Sequence, residues 1–255
     1  MATFFTHTTD SIGDNLWSLQ YLRKQAVLYP EHRFLHSVPR SLLAPLISFV
    51  ADLHNLSIID SECRPHFSKN TWVNTENFIE HHPDRWNISA VLIDFFAGFS
   101  KKNGMESGLR SNSDLQFEIP EMIKTQFIQN FDFLIINSRP VSGQFPDYDS
   151  IDDLIGELHQ KGHSIITTAP SRHPVICTEN HRLSLSAIGC LSRNCKNILG
   201  VATGPIWPTF NVWNADSVQL RLLLVTPWRV WISPNTEHAD TVDAARTILK
   251  HRDLL

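Results

Sequence analysis

The continuous apolar run Ile198 to Val201 leaves the chain few ways to fold. No polar residue alternates within it, so both of its faces must be covered. That setting belongs to a strand of a parallel sheet flanked by helices. The run stops at Thr203-Gly204-Pro205, a tight turn that leaves the carboxyl end of the strand open. In open α/β sheets ligands sit at that end. A glycine there admits close approach of backbone N–H groups to an anion, and the threonine adds a hydroxyl. Thr203, Gly204 and Pro205 therefore mark a candidate site for a phosphorylated ligand.

The same strand–helix alternation is written along the rest of the chain. Strands are predicted at Thr3 to Thr8, Phe34 to Val38, Leu56 to Ile59 and Ala90 to Phe96. Between the first two, Asp14 is placed to cap a helix whose apolar residues recur at Leu16, Leu19, Leu22 and Ala26. Ser41 opens another helix. Residues Lys101 to Asp114 are polar, contain two glycines and have no apolar period, which predicts a linker. Beyond it, strands are predicted at Phe131 to Ile136, Ser164 to Thr168, Val175 to Thr178 and Leu222 to Val225. Helices follow Ser150 and Ser184 and close the chain from Asp240 to Leu249. Ser150 with Asp153 has capping-box spacing, and Gly162 stands where a helix ends. The expectation is an α/β protein of two lobes, 1–114 and 115–255, with mainly parallel sheets.

A chain of 255 residues is long enough for two such lobes. A net charge of −4 gives no bias toward nucleic acid, so none is expected as a partner. The N-terminus lacks a basic region followed by an apolar core, and no run approaches the roughly 20 residues of a membrane span. A cytoplasmic protein is expected, with peripheral membrane contact and oligomeric state left open. Cys63, Cys177, Cys190 and Cys195 have neither zinc-site nor thioredoxin-like spacing, and read as reduced, buried thiols.

Four loops after strands carry polar residues. Thr8 to Asn15 includes Asp14, a carboxylate at a helix N-terminus. It is either a plain cap or a base for an attacking hydroxyl. Asn137 to Gln144 offers Arg139, whose planar donors suit phosphate, with the hydroxyls of Ser138 and Ser142. A solvated surface loop is the competing reading. Thr168 and Ala169 begin a loop able to lie along a nucleobase, its backbone pairing with the base edge, or to be an ordinary strand exit. In the fourth loop Trp207 and Phe210 are candidates for stacking on a ligand ring, or for the core.

The thirteen histidines are scattered, and adjacent His81-His82 point apart on most backbones. There is no His-Glu-x-x-His, so no metal is assigned. Gly-x-Ser-x-Gly, Walker and Gly-x-Gly-x-x-Gly motifs are missing too, which argues against hydrolase, NTPase and dehydrogenase readings.

Ile12-Gly13-Asp14 directly before a helix resembles the first loop of the bacterial heptosyltransferase-like glycosyltransferases. Leu183 to Asn211 resembles that family's second signature, a helix, then a strand ending in an Asp-Thr-Gly-Pro-type loop. Ala202 stands where the family usually has Asp, Trp207-Pro208 near its usual His, and Arg139 in place of a nearby Lys. The resemblance implies a GT-B fold, two Rossmann-like lobes facing a central cleft. It also implies metal-independent transfer of a sugar from a nucleotide-diphosphate sugar, held by the second lobe, to a glycan or small-molecule acceptor. By the same resemblance Asp14 is the base. Ser138, Arg139, Ser142, Thr203, Gly204 and Pro205 hold the diphosphate, and Thr168 and Ala169 line the nucleobase. No resident cofactor is implied, since the nucleotide sugar is a co-substrate. Two other readings stay open. One is a non-catalytic nucleotide-sugar binding protein, favoured by Ala202. The other is an epimerase or hydrolase of nucleotide sugars, which would draw on groups such as Asp10 or His7.

Overall fold

The computed structural model describes residues 1–8, 11–63, 81–139, 145, 147–225 and 227–255. They form two compact units, Met1–Ile123 and Lys124–Leu255.

In the first unit β1 (Thr3–His7), β2 (Arg33–Val38) and β3 (Leu56–Asp60) lie side by side in that order, all parallel. α1 (Ile12–Leu28) joins the first two strands. α2 (Arg40–Leu46), continued by a 3-10 turn at Ile47–Phe49, leads toward β3. α1 is buried around most of its circumference, polar residues included. Most of those residues are held by hydrogen bonds, as burial requires, although Ser18 Oγ, Arg23 Nε and Gln25 Oε1 have no partner among the described residues. Arg23 grips Asp52 through two nitrogens at 2.6 and 2.9 Å and reaches the Phe49 carbonyl at 2.6 Å. Gln25 donates to the carbonyls of Glu106 and Ser107. Gln20 bonds Gln116 and Glu118.

These bonds correct the predicted linker. Residues 101–114 end a helix and then run along α1, burying Met105 and Leu109. The chain beyond, to Ile123, also belongs to the first unit, with Leu115, Phe117 and Ile119 in its core. The division falls nine residues past the predicted one (123 against 114). The predicted strand at Ala90 to Phe96 is a second correction. It lies inside α3 (Ile88–Lys102), started by Asn87, whose side chain accepts from the Ala90 N–H, and ended by Lys101 and Lys102. A cap at the start and cations in the last turn are both helix signals.

In the second unit β4 (Phe131–Ile136), β5 (Ile165–Thr167), β6 (Ile176–Cys177), β7 (Cys195–Val201), β8 (Leu220–Leu224) and β9 (Thr236–Ala239) form one sheet. Its order is β6-β5-β4-β7-β8-β9, every pair parallel. Counted from its own first strand this is the 3-2-1-4-5-6 order of the Rossmann sheet. α4 (Ile151–Gln160), α5 (Leu185–Leu191) and α6 (Val242–His251) are interleaved with the strands. Ile151, Leu154, Ile155 and Leu158 of α4 and Val242, Ala245 and Leu249 of α6 share one core with β4, β7 and β8. α4 ends at Gly162, whose φ of +87° is open to glycine at little cost. Its start departs from the predicted capping box, because the Ser150 hydroxyl turns to Asp147 Oδ1 at 2.6 Å. Ser184 caps α5 as predicted, accepting from the Ala187 N–H. The β9 strand, Thr-Glu-His-Ala, carries no apolar run and was not legible as a strand. Cys177, Cys190 and Cys195 are buried. Among the described residues no helix is long and apolar enough to cross a membrane.

Candidate functional site

A Rossmann order places a crevice where the sheet reverses direction, at the carboxyl ends of its first and fourth strands. Here those strands are β4 and β7. Their pairing, Ile136 opposite Gly200, brings their exits side by side. Gly200 is required by this closeness, since a Cβ there would lie 2.5 Å from Ile136 Cβ and 2.6 Å from its carbonyl oxygen. The exits are Asn137-Ser138-Arg139 and Ala202-Thr203-Gly204-Pro205. Two of the four loops singled out in the sequence thus begin at neighbouring strand ends at the switch point.

The β4 exit is held by Asn137, which sequence reasoning passed over. Its side-chain amide pairs with the Ala169 backbone in both directions. Nδ2 donates to the Ala169 carbonyl at 3.0 Å, and Oδ1 accepts the Ala169 N–H at 2.8 Å. The Asn137 N–H donates to Thr168 Oγ1 at 3.1 Å, and the Ser138 and Thr168 hydroxyls bond each other at 3.0 Å. Tyr148 donates its hydroxyl to the Asn137 carbonyl at 2.5 Å. Ala169 therefore has its backbone N–H and carbonyl engaged inside the protein, which corrects the expectation that they pair with a nucleobase. An asparagine beside a strand exit was the available signal, since its amide copies the backbone's donor and acceptor.

Arg139 lies beyond this brace. Its side chain is 74% exposed, with the guanidinium 5.5 Å from the Tyr148 ring centroid and Nη2 3.6 Å from Asp149. An exposed pair of that length is worth at most about 1 kcal/mol, so an anion competes for the cation readily. Ser142, placed in the same loop by the sequence reading, lies outside the described residues.

At the β7 exit Thr203 precedes a 3-10 segment, Gly204–Thr209, with Pro205 in its first turn. Proline fits there because first-turn N–H groups have no partner within the helical segment. The Thr203 N–H bonds the Val201 carbonyl at 2.7 Å, fixing the turn. The segment is fastened from below by two fully buried asparagines. Asn211 donates to the Gly189 and Pro208 carbonyls, and Asn214 to the Thr209 carbonyl at 3.0 Å. Arg221, buried in β8, donates in turn to Asn214 Oδ1 and its carbonyl at 2.6 and 2.7 Å. Burial draws that guanidinium down to about 10. Trp207 and Phe210 are 8% and 1% exposed, their rings 6.3 Å apart. They are core residues, which corrects the stacking role proposed for them.

The β5 exit is braced to the first turn of α4. Ser171 and Arg172 both donate to Asp152 at 2.5 Å, and Arg172 also to Asp153. Burial works against the Asp152 charge, but these bonds hold its carboxyl below the usual range. Among the described residues no group of His, Cys, Asp or Glu is arranged to hold a metal ion.

Asp14 belongs to the first unit. The helix begins one turn earlier than predicted, with Ser11 at the N-cap, so Asp14 lies inside the first turn. There the helix dipole favours its charged form. Behind it, Asn15 and His36 are both fully buried and bonded to each other at 2.9 Å.

No protein-family model matches the sequence, and no curated protein matches it. Solved structures do. The E. coli heptosyltransferase WaaC with ADP superposes with a TM-score of 0.61 at 13% identity, covering 99% of this chain and 98% of that one. A glycosyl transferase family 9 protein from Veillonella parvula DSM 2008 gives 0.57 at 12%, covering 98% and 88%. The E. coli ADP-heptose LPS heptosyltransferase II gives 0.54 at 13%, covering 100% and 98%. The chain therefore has the α/β fold of heptosyltransferase-like, GT-B glycosyltransferases.

Proposed function

We propose that this protein is a glycosyltransferase that moves a sugar from a nucleotide-diphosphate sugar to an acceptor hydroxyl. The observation that carries the reading is that β4 and β7, whose exits carry Ser138 and Arg139 and Thr203 and Gly204, are neighbours at the switch point of a Rossmann-ordered sheet. A diphosphate suits that place, with an exposed guanidinium on one side and a glycine turn on the other. The E. coli neighbour with the same fold was solved with ADP and with ADP-2-deoxy-2-fluoro heptose.

In the proposed reaction the acceptor oxygen gives its proton to the Asp14 carboxylate and bonds the anomeric carbon. The bond from that carbon to the phosphate oxygen breaks, and the nucleoside diphosphate leaves with the electron pair. Charge grows on the leaving phosphate, and Arg139 offsets it. The proposal needs neither a metal nor a resident cofactor, so chelation with EDTA leaves turnover unchanged. A cytoplasmic setting belongs to the same proposal.

The test is release of nucleoside diphosphate from a panel of nucleotide sugars, with and without glycan and small-molecule acceptors. Acceptor-dependent release that Asp14→Ala abolishes while donor binding persists supports the reading. Unchanged release in Asp14→Ala removes the base assignment. Ala202, a buried apolar residue where the resembled family carries an acid, favours a second reading as a nucleotide-sugar binding protein. Tight donor binding without turnover across the panel would establish that one instead.

A further inference from the structure

We propose that Asn15, His36 and Thr6 are positioning residues for Asp14, forming a buried chain that fixes the first turn of α1 against the sheet. The inference rests on Asp14 being the base of the proposed reaction. Thr6 and His36 are direct neighbours across β1 and β2. Thr6 Oγ1 lies 2.9 Å from His36 Nδ1, and His36 Nε2 lies 2.9 Å from Asn15 Oδ1. Asn15 Nδ2 reaches the Ser11 carbonyl at 2.7 Å, an oxygen that also accepts the Asn15 N–H at 3.2 Å.

The direction of every proton follows. A carbonyl accepts from Asn15 Nδ2, so Asn15 Oδ1 faces His36. That oxygen only accepts, so Nε2 of His36 carries the hydrogen. Nδ1 is then a lone pair, and the Thr6 hydroxyl donates to it. The imidazole is neutral, since burial draws it to about 3 and nearby His7 adds to the effect.

All three side chains are 0–1% exposed. Apolar residues of the same shape would fill that space with little or no loss of stability. What the polar chain adds is direction. Helix rotation and height are set by three short bonds rather than by interchangeable packing. The chain ends on the residue after Asp14 and on Ser11, three before it, so it brackets the carboxylate. None of its members is proposed to touch substrate.

The experiment compares wild type with Thr6→Val, an isosteric change at the far end, and Asn15→Leu at the near end. Hydrogen exchange at the amides of residues 15–17 is read in each folded variant, independently of any reaction. Faster exchange there, with the C-terminal half of α1 unchanged, supports the anchoring, and unchanged exchange overturns it. Kinetics then test the link to Asp14. A displacement near 1 Å costs up to about 100-fold in rate. The expected result is therefore a large fall in kcat for Asn15→Leu and a smaller one for Thr6→Val. Donor KM stays within about twofold, because uniform binding is untouched. A purely structural role would instead lower the melting temperature and the active fraction while leaving kcat per active site alone, and that would overturn the proposal. If wild type turns over no nucleotide sugar, the glycosyltransferase reading fails, and with it the positioning role. The exchange data still decide whether the chain anchors the turn.

Discussion

Asn137 shows how one side chain can take a place the sequence reserves for a ligand. Its amide meets the Ala169 N–H and carbonyl as a base edge would. The sequence made the polar strand exits visible but not which of them bond each other. Trp207 and Phe210 carry the same lesson. Aromatic density near a glycine turn fits a stacking platform or a core, and only the fold decides. Phe210→Ala should cost about 3–5 kcal/mol of stability, as truncation of a buried ring does. Chemical denaturation measures this, and donor affinity in the folded variant should change little. Asp14, Arg139 and Thr203 could be named as candidates because each stands beside a strand or helix end where its chemistry would have a use. Asn15, His36 and Thr6 were not, since a buried polar chain spread over three elements has no local spacing.

Among the elements, the second unit was nearly all legible. Its strands other than β9 are mostly apolar, and α4 and α6 have clear apolar faces. Ala90 to Phe96 was misread because a dense apolar segment lacks the period that separates helix from strand. Its Asn87 cap and terminal lysines held the missing information. β9 escaped for the opposite reason. It lies at the edge of the sheet, where polar residues are tolerated. The switch point depends on the contact between β4 and β7, which permits no side chain at position 200. Gly200→Ala should therefore destabilise the protein by about 1–3 kcal/mol through overpacking. It should also weaken donor binding, because the two exits are pushed apart. Thermal unfolding and donor titration of one variant check both effects.

At the level of the whole molecule, the strand–helix alternation carried the fold class, and the packed 101–123 segment moved the division between the units. Stability against pH joins the units' chemistry to a bulk observable. His36 is held neutral to about pH 3, and His238 to about 4, each mainly by burial. Unfolded histidines bind protons below about 6.5. Between these limits the unfolded state holds more protons, so stability is full above about pH 6.5 and falls as pH drops toward 3. Each histidine contributes up to roughly 1.4 kcal/mol per pH unit within its window. His36→Gln should flatten the curve by that amount, as urea midpoints across the range will show.

The central claim is that the exits of β4 and β7 bind the diphosphate of a nucleotide sugar. Equilibrium titration of nucleotide-diphosphate sugars into wild type and Arg139→Ala tests it most directly. Arg139 is exposed and its ion pair weak, so the variant should unfold within about 0.5 kcal/mol of wild type. Loss of a charge-assisted contact to phosphate should cost about 1.5–3 kcal/mol, a fall in affinity of at least tenfold. Equal affinity in the two proteins would contradict the site and the function built on it.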